Sequence, residues 1–165
     1  MKVFLVGFVS GILSFCCSLA IASPSVGDIA IYVHTDTSQG TPKSDLLQVQ
    51  LTDYNQNTDV FHMEIVIADL DGSNGWGGDE DIAGSKLLSD TYLRNLLESC
   101  ASQGGTLAET TVPAGTFQTC EMPVNNDSGV GNVWYGIVPF GIVKSDLTLS
   151  GVETTLQLKE LGWGK

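Results

Sequence analysis

The chain has 165 residues, of which 19 are acidic and 7 are basic, and its formal net charge is −12. This length fits one domain with a modest hydrophobic core. The strong negative charge argues against nucleic acid and anionic membrane surfaces as partners, because both attract basic patches. The same charge favours a protein that stays monomeric in solution.

The first 22 residues have the pattern of a secretory signal peptide. Lys2 precedes a run from Val3 to Leu19 that is apolar or small and carries no charge, and Ala20 and Ala22 place small residues where a signal peptidase cleaves. The run is shorter than the roughly 20 apolar residues that span a membrane. The sequence therefore predicts cleavage after Ala22, a single mature domain at 23–165 without a transmembrane segment, and a periplasmic or secreted location.

The four cysteines divide between the leader and the mature chain. Cys16 and Cys17 make a lipoprotein the alternative to a cleaved signal, although Phe15 stands where lipid attachment requires a small residue. Cys100 and Cys120 remain after cleavage, in a compartment that is oxidising. They predict one structural disulfide. The alternatives are a zinc site, for which no histidine pair lies nearby, and a redox-active pair, which needs an exposed thiol.

The mature chain begins with three strand-like stretches. Residues 28–34, 46–52 and 60–68 alternate apolar and polar side chains, as antiparallel strands with one solvated face do. In the first stretch, Ile29, Ile31 and Val33 form the more apolar set. Turns rich in Gly, Asn and Asp separate the three stretches.

The acidic stretch 69–84 has no periodicity, so we expect a loop there. Carboxylates and a hydroxyl at this density could supply the oxygen ligands of calcium. Asn74 replaces the glycine of an EF-hand loop and a strand precedes the stretch, so the site would be an irregular calcium loop. The alternative is a solvated acidic turn. The candidate ligands are Asp69, Asp71, Ser73, Asp79, Glu80 and Asp81.

One helix is predicted over residues 85–102. Its apolar residues recur at helical spacing, and Cys100 belongs to this stripe. Gly104 and Gly105 end the helix. Cys120 lies on the apolar side of a later strand, so a bond between the cysteines would attach the helix to the sheet. The stripe consists of Leu88, Tyr92, Leu93, Leu96, Leu97 and Cys100.

Five further strands bring the predicted total to about eight. They are expected at residues 106–112, 116–124, 133–138, 142–149 and 154–161. The stretch 133–138 is apolar on both faces, which is typical of a central strand that is covered on both sides.

Five short stretches of the chain form a recognisable set of motifs. They are the opening strand at 26–32, VPAGTF at 112–117, WY at 134–135, VPFGIVK at 138–144 and LQL at 156–158. These motifs resemble those of the TapB-like exported bacterial proteins, which are distantly related to the half-barrel lipoprotein carriers LolA and LolB. The resemblance implies a mainly β (α+β) fold, in which a curved antiparallel half-barrel sheet holds one amphipathic helix against its concave face. It implies no functional residues.

One helix cannot cover a sheet of about eight strands, so we expect an apolar hollow on the concave face. Trp134, Tyr135 and Tyr92 are the candidate lining residues. The sequence thus predicts a binding or carrier protein for an apolar ligand such as a lipid or acyl chain. The alternative is an envelope-associated interaction protein without a pocket.

An enzymatic role has little support in the sequence. His34 and His62 both lie within predicted strands, and no serine occupies a G-x-S-x-G turn. We therefore expect a non-catalytic protein that needs no cofactor, with calcium as the one candidate ion.

Overall fold

A computed structural model describes residues 24–38, 40–126 and 129–164, so the predicted signal peptide lies outside the described residues. The mainly β fold is confirmed: nine antiparallel strands form one open sheet, accompanied by one α-helix, α1, at Asp90–Ser99. Short 3₁₀ turns at Gly84–Lys86 and Cys100–Gln103 flank this helix. The strands are β1 Ile29–Asp36, β2 Lys43–Asn55, β3 Val60–Ala68, β4 Trp76–Ala83, β5 Thr106–Val112, β6 Gly115–Asn126, β7 Gly129–Tyr135, β8 Ile142–Leu149 and β9 Val152–Gly162.

The ninth strand, β4, lies in the acidic stretch where a loop was expected, so that prediction was wrong. Each β4 residue except Ile82 is exposed. An edge strand with so little burial needs no apolar alternation, because its backbone hydrogen bonds to β3 hold it in place. Gly77 fits this position for a steric reason, since a Cβ there would collide with the carbonyl oxygen of Ile65.

The predicted central strand 133–138 was misplaced. β7 ends at Tyr135, and the chain then turns at 136–141, where Phe140 and Gly141 have positive φ angles of 62° and 77°. The apolar pattern was misleading because Val138, although it lies in this turn, is buried in the core.

The strand order is β4-β3-β2-β1-β9-β8-β7-β6-β5. Two meanders, β1 to β4 and β5 to β9, therefore meet where β1 pairs with β9. The segment that carries α1 joins β4 to β5, which are the two opposite edges of the sheet. The last residues of β5 and the turn after it fold back towards β9: Val112 packs in one cluster with Leu158, and the backbone N–H of Ala114 donates to the carbonyl of Leu158 at 3.0 Å.

The main core lies on the face of the sheet that carries Ala30 and Tyr32 of β1. These two residues are buried, whereas the more apolar set of Ile29, Ile31 and Val33 is only partly buried on the other face. The Tyr32 hydroxyl donates to the carbonyl of Ile142 at 3.1 Å, so burial of its ring leaves its polar atom satisfied. The buried cluster consists of Ala30, Tyr32, Val112, Val138, Val143 and Leu158.

The helix is shorter than predicted. It begins after Ser89, whose hydroxyl accepts from the backbone N–H of Tyr92 at 3.2 Å, which is a normal N-cap. The helix residues Leu93 and Leu96 have buried side chains. Leu88 precedes the helix, because residues up to 89 form the 3₁₀ turn and an extended entry into the cap.

The predicted disulfide between Cys100 and Cys120 is present, and it joins the end of the helix segment to β6. Both sulfurs are buried with Leu96, and Met122 and Tyr135 pack against them. Gly105 lies so close that a Cβ there would come within 2.9 Å of each sulfur. The bond is thus part of a packed cluster, which agrees with a structural role and not with an exposed redox site.

Candidate functional site

The residues predicted to bind calcium fall into two separate groups. Asp69 and Asp71 lie in the turn between β3 and β4, and their side chains accept hydrogen bonds from other residues of that turn. The Asp69 carboxylate accepts from the Asn74 side chain at 2.7 Å, and the Asp71 carboxylate accepts from the backbone N–H of Ser73 at 2.9 Å. Hydrogen bonds from the side chain and backbone of Ser73 lower the pKa of Asp71.

The other acidic candidates lie on β4, where successive side chains point to opposite faces. Asp79 and Asp81 flank His62 of β3, while Glu80 is on the opposite face. Among the described residues, no three His, Cys, Asp or Glu side chains are grouped in a way that could hold a metal ion. The six candidates therefore do not converge on one point.

His62 of β3 contacts two carboxylates of β4. Its Nδ1 lies 3.0 Å from an oxygen of Asp81, and its Nε2 lies 3.5 Å from an oxygen of Asp79. The hydrogen bond with Asp81 raises the pKa of His62, and the charges of Asp79, Asp81 and Asp53 add to the effect. Protonated His62 therefore offsets part of the negative charge of this acidic surface.

We expect His62 to titrate above its ordinary pKa of about 6.5. Because the folded-state pKa is the higher one, protonated His62 stabilises the fold below about pH 6.5, and this contribution is lost as the pH rises through the folded-state pKa. NMR titration of the imidazole measures the shift. Asp81→Asn should lower the pKa of His62, whereas Glu109→Gln on the other edge of the sheet should not. Equal behaviour of both variants would contradict this assignment.

The aromatic candidates do not share a hollow. Trp134 and Tyr135 are consecutive on β7 and lie on opposite faces. The Lys144 ammonium sits 4.4 Å from the centre of the Trp134 ring. Tyr135 packs in the disulfide cluster, where burial raises its pKa, and Tyr92 is exposed on the helix.

The space beneath the entry to the helix is nearly filled. A space of about 10 Å³ remains there, enough for about one water molecule. Leu51, Leu88 and Val138 are among the residues that line it. Asp90 also lines it, and burial raises the pKa of this carboxyl group. The packing at the entry to the helix therefore leaves no large chamber at this position.

An open groove of about 630 Å³ lies beside this filled region. Its floor includes the rings of Tyr54 and Phe61, which stack with centroids 4.3 Å apart and an interplanar angle of 28°. The Tyr54 hydroxyl donates to the Asp59 carboxylate at 3.0 Å, and this bond raises the pKa of Tyr54. The residues that line the open groove are Pro24, Ser25, Val26, Tyr54, Asp59, Phe61, Gly84, Ser85, Leu87 and Ser89.

The groove draws on three separate stretches of the chain. The lead-in to β1 supplies Val26, the β2–β3 hairpin supplies the aromatic pair, and the segment before α1 supplies Leu87. Tyr54 falls in the segment 53–59 that was predicted to be a turn, so no candidate residue was predicted at this site. The one available signal was the pair of aromatic residues that flank that turn, because β2 extends to Asn55 and brings Tyr54 opposite Phe61.

Within the described residues, no helix is both long and apolar enough to cross a membrane.

Neither a protein-family model nor a curated protein matches this sequence. Among solved structures, the chain is similar to a protein from Bacteroides fragilis NCTC 9343 described as exported and as having a YmcC-like fold. That likeness has 11% identity and a TM-score of 0.49, and it covers 84% of this chain and 97% of the other. It is also similar to a protein from Parabacteroides distasonis ATCC 8503 described as a lipoprotein, with 12% identity, a TM-score of 0.47 and coverage of 84% and 97%. At these values the likeness carries no conclusion about function, and the resemblance to TapB-like proteins and to LolA and LolB stays a prediction.

Proposed function

We propose that this chain is an exported, non-catalytic binding protein that holds an apolar group, such as a lipid acyl chain, in the open groove. The observation that carries the proposal is the groove's stacked aromatic floor within a volume of about 630 Å³. Sites for small ligands commonly measure about 300–1,000 Å³ and are lined mostly by apolar and aromatic side chains. The ligand site thus lies beside Tyr54 and Phe61, and not at Trp134, Tyr135 and Tyr92.

The polar side chains in the lining of the groove favour a ligand with a polar end. Asp59, Ser85 and Ser89 line the groove together with the apolar side chains. An apolar chain could lie over the aromatic floor while a hydroxyl or amine reaches these oxygen atoms. Export is proposed from the leader sequence and from the disulfide, which is typical of oxidising compartments.

We expect Val26→Asp to weaken binding of the neutral probe N-phenyl-1-naphthylamine roughly tenfold, because a carboxylate in the groove must be desolvated when the probe enters. Val26 is 41% exposed, so the substitution should leave the fold intact. Val130→Asp is the matched control, since Val130 is 57% exposed and lies outside the groove. A fluorescence titration with this probe measures both affinities.

If the wild-type protein fails to enhance the probe's fluorescence, or if both variants bind it equally well, the groove is not an apolar binding site. An envelope-associated interaction protein without a pocket is then the better interpretation. The small space left at the entry to the helix, about 10 Å³, is the observation that favours this second candidate.

A further inference from the structure

The two edges of the sheet differ in how accessible they are. The end of β5 is folded back, with Val112 in the core and Ala114 bonded to the backbone of β9. The outer side of β4 has no neighbouring strand among the described residues, and all of β4 except Ile82 is exposed. Alternate residues of an edge strand direct backbone N–H and C=O groups outward, where another strand can pair with them.

A mainly apolar trough runs along β4 on the face of the sheet that carries the main core. It has a volume of about 280 Å³, and its lining includes Ile65 and Ile67 of β3 together with the carboxylate-bearing Glu80 of β4. Trp76, which is 69% exposed, stands at one end. Gly78 leaves the middle open, because no atom lies within 4 Å of the place where its Cβ would be. An added strand could therefore place apolar side chains here.

The opposite face of β4 is acidic. Asp79 and Asp81 have side chains that are 69% and 75% exposed, and Glu64 of β3 lies directly across from Asp79. His62 sits between the two aspartates and neutralises only part of their charge. A strand added beside β4 would place every second side chain next to these carboxylates.

The same charges decide which strand can pair. A second copy of this chain would bring its own aspartates against Asp79 and Asp81, and like charges on neighbouring strands are destabilising. A strand with lysine or arginine at those positions would instead form opposite-charge pairs. The acidic edge thus disfavours pairing between two copies of this chain and favours pairing with a basic strand.

We propose that the β4 edge binds an extended basic polypeptide segment as an additional strand, one that alternates lysine or arginine with apolar residues. The outward backbone groups and the trough supply the binding mode, and the acidic face sets the sign of the partner's charge. This site is separate from the open groove, because Trp76, Gly78, Ile65 and Ile67 do not line that groove.

Fluorescence anisotropy with a labelled synthetic peptide that alternates lysine with valine tests the proposal. We expect the full-length mature protein to bind it and not to bind the equivalent glutamate–valine peptide. A further lysine–valine peptide carries N-methyl groups on all of its backbone nitrogens. An added strand, whether parallel or antiparallel, donates backbone N–H groups to β4, so the N-methylated peptide should lose binding.

Variants of the protein locate the site. The double variant Asp79→Asn with Asp81→Asn should weaken binding of the lysine–valine peptide roughly tenfold, because two opposite-charge contacts are lost. Glu109→Gln with Glu153→Gln removes the same charge from exposed positions outside β4 and should change the affinity less than twofold.

Three results would each overturn the proposal. They are the absence of binding, undiminished binding of the N-methylated peptide, which indicates adsorption by charge alone, and equal effects of the two double variants. None of these results depends on whether the groove holds an apolar ligand, so the two proposals are tested separately.

Discussion

Replacing both Cys100 and Cys120 with alanine is expected to lower the free energy of unfolding by about 3 kcal/mol. The disulfide closes a loop with a sequence separation of 20, and without it the unfolded chain regains the entropy of that loop. The sulfurs also fill a buried cluster with Leu96 and Met122, so their removal adds a packing loss. Unfolding in urea, followed by circular dichroism, gives the difference.

The wild-type protein in the presence of a reductant provides the matched control. Its stability should fall by a similar amount, because reduction removes the cross-link and keeps the side chains. A pair of titratable thiols in the native protein, with an unfolding midpoint that reductant does not change, would show that the bond is absent from the working protein.

Leu158→Ala should cost about 3 kcal/mol, within the range of buried leucine truncations. Leu158 lies on β9 with 0% exposure, and it packs in one cluster with Tyr32 and Val143. The interior would have to collapse around the missing methyl groups, and the β1–β9 pairing restricts how far it can move. Chemical denaturation again measures the loss.

The same truncation at Leu107 is the control, since Leu107 is 50% exposed on the edge strand β5. We expect a change within about 0.5 kcal/mol there. If the two truncations had equal effects, the hydrophobic core could not lie on the face of β1 that carries Ala30 and Tyr32.

Local patterns predicted the strands that bury one face. The expected bounds of β3, β5 and β8 agree with the structure, because alternation and turn residues mark these strands on both sides. β4 was not predicted, because its exposed side chains show no apolar alternation and backbone pairing with β3 holds it in place. The burial of Ala30 in place of Ile31 could not be foreseen either, since only tertiary packing decides which of two apolar faces is covered.

The functional candidates show the same limit. The disulfide was predictable because the helical stripe and the strand alternation both placed a cysteine on a buried side. The groove was not, since it forms only where the lead-in, the β2–β3 hairpin and the segment before α1 meet. The candidate calcium ligands failed to converge because strand geometry sends Glu80 to the face opposite Asp79 and Asp81.

The pairing of β1 with β9 has a consequence for how the chain folds. It sets Ile29 opposite Gly162, and next to it the backbone N–H of Gly164 donates to the Asp28 carboxylate at 2.8 Å. Each meander can form from strands that are close in sequence, but this seam requires residues from opposite ends of the described chain. Contacts of such long range slow folding, because the entropy of closing the loop is lost before the contacts form. The seam is therefore expected to close late, and until then β1 and β9 are two further unpaired edges at which the nascent protein can aggregate.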